Sequence, residues 1–319
     1  MLEKVIEKSA DFQVFKSQQQ KGTLPSSLLL SSKDNFYSFE FCKSLACLLF
    51  DGNACGNCEN CLKVRADAHP DLKVYPSKDK LLVADSEEIV MESFIKPIFA
   101  DKKIFIIRNI DEANDASQNK LLKVLEEPPK NVYFLLTCVN IEKVLPTIRS
   151  RCQKTELSKL DDNVIEGLLG RADEELKVLA LQVADVQVGK AIALSKKKDF
   201  VSLCKDSVGI ITRLKSSKEV LEVSKRLQQY KDEFLLIMEV LSIAVSDLLK
   251  VKAGKKDLVR LTDFENDYAK VSGDYTIRAL CEIALLIDEV VKERGYNVSP
   301  VISLENFLLN VLEVKYLCR

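Results

Sequence analysis

The chain has 319 residues, 47% hydrophobic and 30% charged, the balance of a globular protein with room for two or three domains. A net charge of −1 gives no bulk electrostatic drive for strong nucleic-acid binding by this chain alone. The single histidine, His69, excludes mechanisms that need several, and no apolar run reaches the length of a membrane span.

The opening MLEKVIEKSADF is charged and lacks the apolar core of a signal peptide. The ten cysteines are therefore expected to be reduced thiols in a cytoplasmic protein. Residues 3–21 read as one amphipathic helix, and Leu28-Leu29-Leu30 as a short buried strand. Residues 36–50 read as a helix with Phe39, Cys42, Leu45, Ala46 and Leu49 on one face.

A cysteine loop follows. Cys55, Cys58 and Cys61 form two overlapping C-x2-C pairs, and Cys47 stands eight residues upstream. Four thiolates are the ligand count of a closed, tetrahedral structural zinc site, one with no open position for chemistry on a substrate. His69 could replace one thiolate, but Pro70 and Asp71 after it suggest a turn instead. Cys42 reads as core, and Cys138, Cys152, Cys204, Cys281 and Cys318 as small buried hydrophobes.

Further along, Lys73-Val74-Tyr75 reads as a strand, and the acidic run from Asp85 to Glu88 opens a helix. Residues 103–107 and 133–137 read as strands buried on both faces, as in a parallel sheet. Between them, residues 114–127 form a helix stopped by Pro128-Pro129, and residues 141–149 form a short helix. This alternation predicts a doubly wound α/β domain. After Glu156 the strand signals stop. Residues 161–203 read as short helices, and from about 206 the helices lengthen. Their apolar stripes are Phe234, Ile237, Leu241, Val245 and Leu248; Leu280, Ile283, Ala284, Ile287 and Val291; and Phe307, Leu308, Val311 and Leu312. The run Lys196-Lys197-Lys198 reads as a solvated helix end.

Residues 121–152 read LLKVLEEPPKNVYFLLTCVNIEKVLPTIRSRC. The LLKVLEEPP helix, the YFLL strand and LPTIRSRC together resemble the clamp-loader AAA+ subunits of bacterial DNA polymerase III. The CGNCENC segment with its upstream cysteine and the His69-Pro70-Asp71 run resemble that family's zinc module. YNVSPVISLENFLLNVLEV, residues 296–314, resembles the last collar helix of its delta-prime type. The resemblance implies three domains: a degenerate AAA+ domain over 1–157 carrying the zinc module at about 47–61, a helical lid over 158–205, and a helical collar over 206–319.

That family contains gamma/tau subunits, which hydrolyse ATP, and delta-prime subunits, which do not. A phosphate-binding loop needs glycines so that backbone N–H groups can approach phosphate, then a lysine and a hydroxyl residue. The corresponding stretch, Ser32-Lys33-Asp34-Asn35, has no glycine, and Asp34 falls where the lysine would stand. Arg108 and Asn109 fall at the two acidic positions that would serve Mg²⁺ and water, while Asp111-Glu112 lies three residues too late. Cys138 falls where the family's sensor threonine stands.

Productive ATP binding is therefore not expected. In the Ser150-Arg151-Cys152 triplet the resemblance implies that Arg151, rather than Arg149, reaches the ATP of a neighbouring subunit as an arginine finger. Gamma/tau and delta subunits are the implied partners, with the sliding clamp and primer–template DNA met through the assembly. An ATP-hydrolysing subunit with an atypical site, and a zinc-bearing AAA+ scaffold outside replication, are the alternative readings.

Overall fold

The computed structural model describes residues 2–77, 80–293 and 300–317. Cys318 and residues 296–299 of the collar-like segment lie outside the described residues. Contacts divide the chain into two compact units. The first comprises Met1–Leu168 and Val186–Gly189, the second Leu169–Asp185 and Lys190–Arg319.

The first unit is built on five parallel strands, β1 (Ser27–Ser31), β2 (Leu72–Tyr75), β3 (Lys103–Ile107), β4 (Val132–Cys138) and β5 (Gln153–Glu156). They lie in the order β2-β3-β4-β1-β5. Its helices are α1 (Leu2–Lys8), α2 (Ala10–Gln20), α3 (Asn35–Asp51), α4 (Glu59–Arg65), α5 (Val83–Ser93), α6 (Asp115–Glu126), α7 (Pro146–Arg149) and α8 (Asp162–Leu168).

Alternate side chains feed two separate cores. Leu28, Leu30, Ile104, Ile106 and Leu135 pack on one face with Phe12, Phe15, Phe41 and Leu45 of α2 and α3. Leu29, Phe105, Ile107, Phe134 and Leu136 pack on the other with Ile89, Leu121 and Val124 of α5 and α6. This is the three-layer arrangement that unbroken apolar strands require. The fold of this unit is thus a mixed α/β architecture on a parallel five-stranded sheet.

Several elements differ from the sequence expectation. The helix expected over 3–21 is two helices. Ser9 breaks it by donating to the Ile6 carbonyl at 2.7 Å and accepting from the Phe12 N–H at 3.3 Å. The segment 141–149 is a 3-10 turn, Ile141–Lys143, followed by α7 with Pro146 in its first turn. Helix α5 begins two residues earlier than Asp85, which instead reaches back to the Leu82 N–H at 2.8 Å. Strand β5 was not anticipated, because its QKTE sequence is polar and half-exposed.

Two buried ions brace the turn before β3. The Asp71 carboxylate accepts the N–H groups of Ile98, Phe99 and Ala100 at 2.6–2.7 Å. Lys103 Nζ donates to the carbonyl and carboxylate of Glu92 at 2.8 and 2.7 Å, closing the end of α5.

The second unit is helical: α9 (Glu174–Ala184), α10 (Val188–Leu194), α11 (Phe200–Arg213), α12 (Ser217–Leu227), α13 (Phe234–Lys252), α14 (Glu265–Val271), α15 (Ile277–Glu293) and α16 (Pro300–Leu317), with the first two residues of α10 belonging to the first unit. The expected domain boundary at 205/206 lies within α11. The stripe on α13 is buried throughout. On α15 Leu280, Ile283 and Ile287 are buried but Val291 is exposed, and Cys281, expected in the core, is exposed as well. Asp247 is fully buried and accepts from the N–H groups of Arg260 and Leu261, which ties the segment after α13 to the helix. Among the described residues no helix is long and apolar enough to cross a membrane.

Candidate functional site

In a parallel sheet, ligands gather where the strands end and the helices begin. The loop Ser32–Asp34 leaves the interior strand β1 at that edge and leads into α3. Its geometry is that of a capped helix rather than a phosphate cradle. Ser32 Oγ accepts the Asp34 N–H at 3.1 Å. Asp34 Oδ1 accepts the N–H groups of both Phe36 and Tyr37 at 3.0 Å. Asp34 Oδ2 accepts the Val188 N–H. The carboxylate thus takes the N–H groups that an anion at this helix start would use. Lys33 is exposed and Asn35 opens the helix. The space beside Asp34, bounded by Lys33, Tyr37, Leu157 and Val186, has a volume of about 60 Å³.

The neighbouring strand ends carry structural roles. Arg108, just past β3, lays its guanidinium over the Phe39 ring at 4.6 Å. Asn109 adopts a left-handed conformation and donates its N–H to Thr137 Oγ1 at 3.1 Å. Asp111 Oδ2 accepts from Val139 and Asn140, so this acid braces the turn after β4. Cys138 is fully buried, and burial pushes its thiol up to about 12.

The cysteine segment forms a compact cluster whose fourth member was not anticipated. Asp51, the last residue of α3, accepts the Asn53 and Ala54 N–H groups on Oδ1 at 2.9 and 2.8 Å. Its Oδ2 accepts the thiols of Cys58 and Cys61 at 3.1 and 3.3 Å. The donor atoms of Asp51, Cys55, Cys58 and Cys61 all lie within 4.8 Å of one another. Burial alone would raise the Asp51 pKa, but the hydrogen bonds from Asn53, Cys58, Ala54 and Cys55 outweigh it and hold the carboxyl well below its usual range.

Cys47 stands outside that foursome. It is buried one helical turn before Asp51, its thiol is pushed up to about 11 by burial, and it hydrogen-bonds Cys61. Burial likewise raises Cys61 and Cys58. Three thiols and a carboxylate are a donor set that can hold a metal ion. The turn is tight: a Cβ on Gly56, where φ is +75°, would stand 2.6 Å from Arg65 Nη2.

His69 is not part of the cluster. Its Nδ1 accepts the Asp71 N–H at 3.1 Å, its Nε2 meets Asn60 Oδ1 at 3.2 Å, and its ring stacks on Phe50 at 4.0 Å. The turn expected from Pro70 and Asp71 accounts for it.

Arg151 lies in the turn between α7 and β5. Its Nε and Nη2 both donate to Glu126 Oε2, at 2.9 and 2.7 Å, and its Nη1 donates to the Thr147 carbonyl. The pair is solvent-exposed. Arg149 pairs with Glu142 at 2.9 Å. Ser150 Oγ returns to the Thr147 carbonyl, and Cys152 is buried.

The first unit is thus a parallel α/β domain whose β1–α3 loop is capped by Asp34, and the second unit is helical. A family model described as DNA polymerase III, delta subunit, matches residues 7–161. DNA polymerase III subunit delta-prime of Bacillus subtilis is 24% identical over 321 residues, covering 94% of this chain and 90% of that one. DNA polymerase III subunit tau/gamma of Haemophilus influenzae is 29% identical over 248 residues, 77% of this chain. The chain spans only 35% of that relative's length. Among solved structures, a gamma subunit-related protein of Thermotoga maritima matches with a TM-score of 0.50 at 16% identity over 98% of both chains, a likeness of fold. The chain is thus similar to the delta-prime and tau/gamma subunits of DNA polymerase III, the clamp-loader subunits that its sequence resembles.

Proposed function

We propose that the chain is a non-hydrolysing, delta-prime-type subunit of a clamp loader. It serves as a fixed member of the ring and lends Arg151 to the ATP held by a neighbouring gamma/tau subunit. The observation that carries this reading is Asp34. Its carboxylate already takes the Phe36 and Tyr37 N–H groups, so a phosphate brought there meets like charge and finds those two donors occupied. The space of about 60 Å³ beside it is far below the ~300–1,000 Å³ of small-molecule sites. Asn109 at the place of an acid leaves no carboxylate to position water, and Arg108 puts a cation where Mg²⁺ would need an anion.

Arg151 fits the donor role because its present partner is easily exchanged. An exposed ion pair such as Arg151–Glu126 contributes ~0–1 kcal/mol, so a neighbour's phosphate can draw the guanidinium away at little cost. A planar, permanently charged guanidinium then neutralises charge building on the transferred phosphoryl group.

Zinc held by Cys55, Cys58 and Cys61, with Cys47 or Asp51 as the fourth donor, would tie the end of α3 to the start of α4 as a closed structural site. The family relationship supports a three-part organisation: the AAA+ domain over about 1–157, a lid over 158–205, and a collar over 206–319 that joins gamma/tau and delta subunits. The sliding clamp and primer–template DNA would be met through that assembly in the cytoplasm.

Calorimetry of the zinc-loaded chain with Mg²⁺ and ATP tests the central point. No heat of binding up to millimolar ATP is the expected result. Micromolar affinity would overturn it and favour an ATP-hydrolysing subunit with an atypical site.

A further inference from the structure

The second oxygen of Asp34 has its own partner, and that partner lies 154 residues away. The chain leaves the second unit at Asp185, contributes the four residues Val186–Gly189 to the first unit, and returns at Lys190. This strap is fitted closely. Val186 adopts φ +62°, a left-handed conformation that a β-branched residue takes only when its surroundings impose it. A Cβ on Gly189 would stand 2.5 Å from Phe36 Cβ, so only glycine allows the strap to lie against the first turn of α3. The Val188 N–H meets Asp34 Oδ2 between these two points.

We propose that Asp34 is a built-in anion that latches the strap Val186–Gly189 onto the start of α3, so that the position of the strap is set without nucleotide. The latch deepens the reading of a closed phosphate loop and rests on it. A bound phosphate at a helix start is a ligand that comes and goes. A carboxylate on the chain itself cannot leave. It joins the helix through Oδ1 and the strap through Oδ2, so one side chain couples the two segments. The phosphate loop therefore holds an internal ligand, and the strap stays in one place through any cycle of ATP turnover elsewhere.

Amide hydrogen exchange on the full zinc-loaded chain, read at residue level, tests the latch. Three proteins are compared with and without millimolar Mg-ATP: the wild type, Asp34→Asn and Gly189→Ala. Asparagine keeps one acceptor oxygen and cannot serve both the helix and the strap. The Val188 amide is expected to exchange at least about tenfold faster in Asp34→Asn, the loss of one bond to a charged acceptor. Gly189→Ala leaves the cap intact but pushes Phe36 away, and the same amide is expected to lose protection.

Should Asp34→Asn loosen the β3 amides as well, it has failed to fold, and Gly189→Ala then decides alone. Unchanged exchange at Val188 in a folded Asp34→Asn and in Gly189→Ala overturns the latch. Slower exchange of wild-type residues 35–38 on adding Mg-ATP would instead overturn the closed phosphate loop, which the two variants without nucleotide do not address.

Discussion

Replacing Asp71 by asparagine isolates the brace that holds the turn before β3. Asp71 is 1% exposed, and its two oxygens accept three backbone N–H groups at 2.6–2.7 Å. Hydrogen bonds to a charged acceptor contribute ~1.5–3 kcal/mol each. Asparagine can turn its one neutral oxygen to the Phe99 and Ala100 N–H groups but then sets an NH₂ against the Ile98 N–H, so one bond is lost and the other two lose their charged acceptor. The expected cost is about 3–5 kcal/mol, enough to consume much of the stability of a typical domain.

The loss belongs to the first unit, and the protein carries probes for each unit. Cys42 is fully buried in the first unit and Cys204 in the second. Thiol labelling across a urea series, read by mass spectrometry, should show Cys42 becoming accessible at a lower midpoint in Asp71→Asn, with the Cys204 midpoint unmoved. Burial by itself would raise the Asp71 pKa, but the three N–H donors outweigh it and the folded value lies below the ordinary one. A depressed carboxyl stabilises the fold above the unfolded pKa, about 3.9 for aspartate, and that contribution is lost as pH falls through the lower folded value. The gap between wild type and variant is therefore full at neutral pH and closes in acid. A Cys42 midpoint shifted by less than the equivalent of ~0.5 kcal/mol would refute the reasoning, since that is the size of an ordinary surface substitution.

Three other outcomes are open to direct measurement. Metal analysis of protein purified without chelator should return about one zinc per chain, falling severalfold or more in Cys61→Ser; a metal-free and fully folded wild type would refute the zinc site. Arg151→Ala should leave subunit assembly intact and slow hydrolysis about a thousandfold at the one neighbouring site it completes, seen as a drop in the DNA-stimulated ATPase of the whole loader; an unchanged rate would remove the arginine finger. A maleimide at neutral pH should label Cys281 rapidly in the native protein and leave Cys138, Cys152 and Cys204 untouched. Cys281 is exposed, whereas burial of the other three pushes their thiols up to about 12. Fast native labelling at any of the three would contradict the fold around it.

The inner strands were legible in the sequence because both faces of β1, β3 and β4 are buried, which gives each an apolar run at its centre. Strand β5 was hidden because its residues alternate between half-buried and exposed, so only its pairing with β1 makes it a strand. The break at Ser9 rests on one hydroxyl bonding both ways, which periodicity does not register.

At the site, spacing located the three clustered cysteines but not Asp51. A lone acid at a helix end is commonplace, and only the Asp51-Gly52-Asn53 turn signal hinted that the chain folds back over it. In the sequence Asp34 stands out by the lysine whose place it takes. Its positive role was also written there, since an aspartate directly before an apolar helix is a capping signal. The strap that meets its other oxygen lies too far along the chain for any local pattern to reveal.

The two outer strands of the sheet have a further consequence. Each is only four residues long, and β5 turns Lys154 and Glu156 outward. Short, charged margins discourage a foreign strand from adding to a sheet. If such domains assemble as proposed, they would be held by side-chain faces that can slide and separate, and not by a continuous ribbon of backbone hydrogen bonds that would fuse neighbours into one sheet.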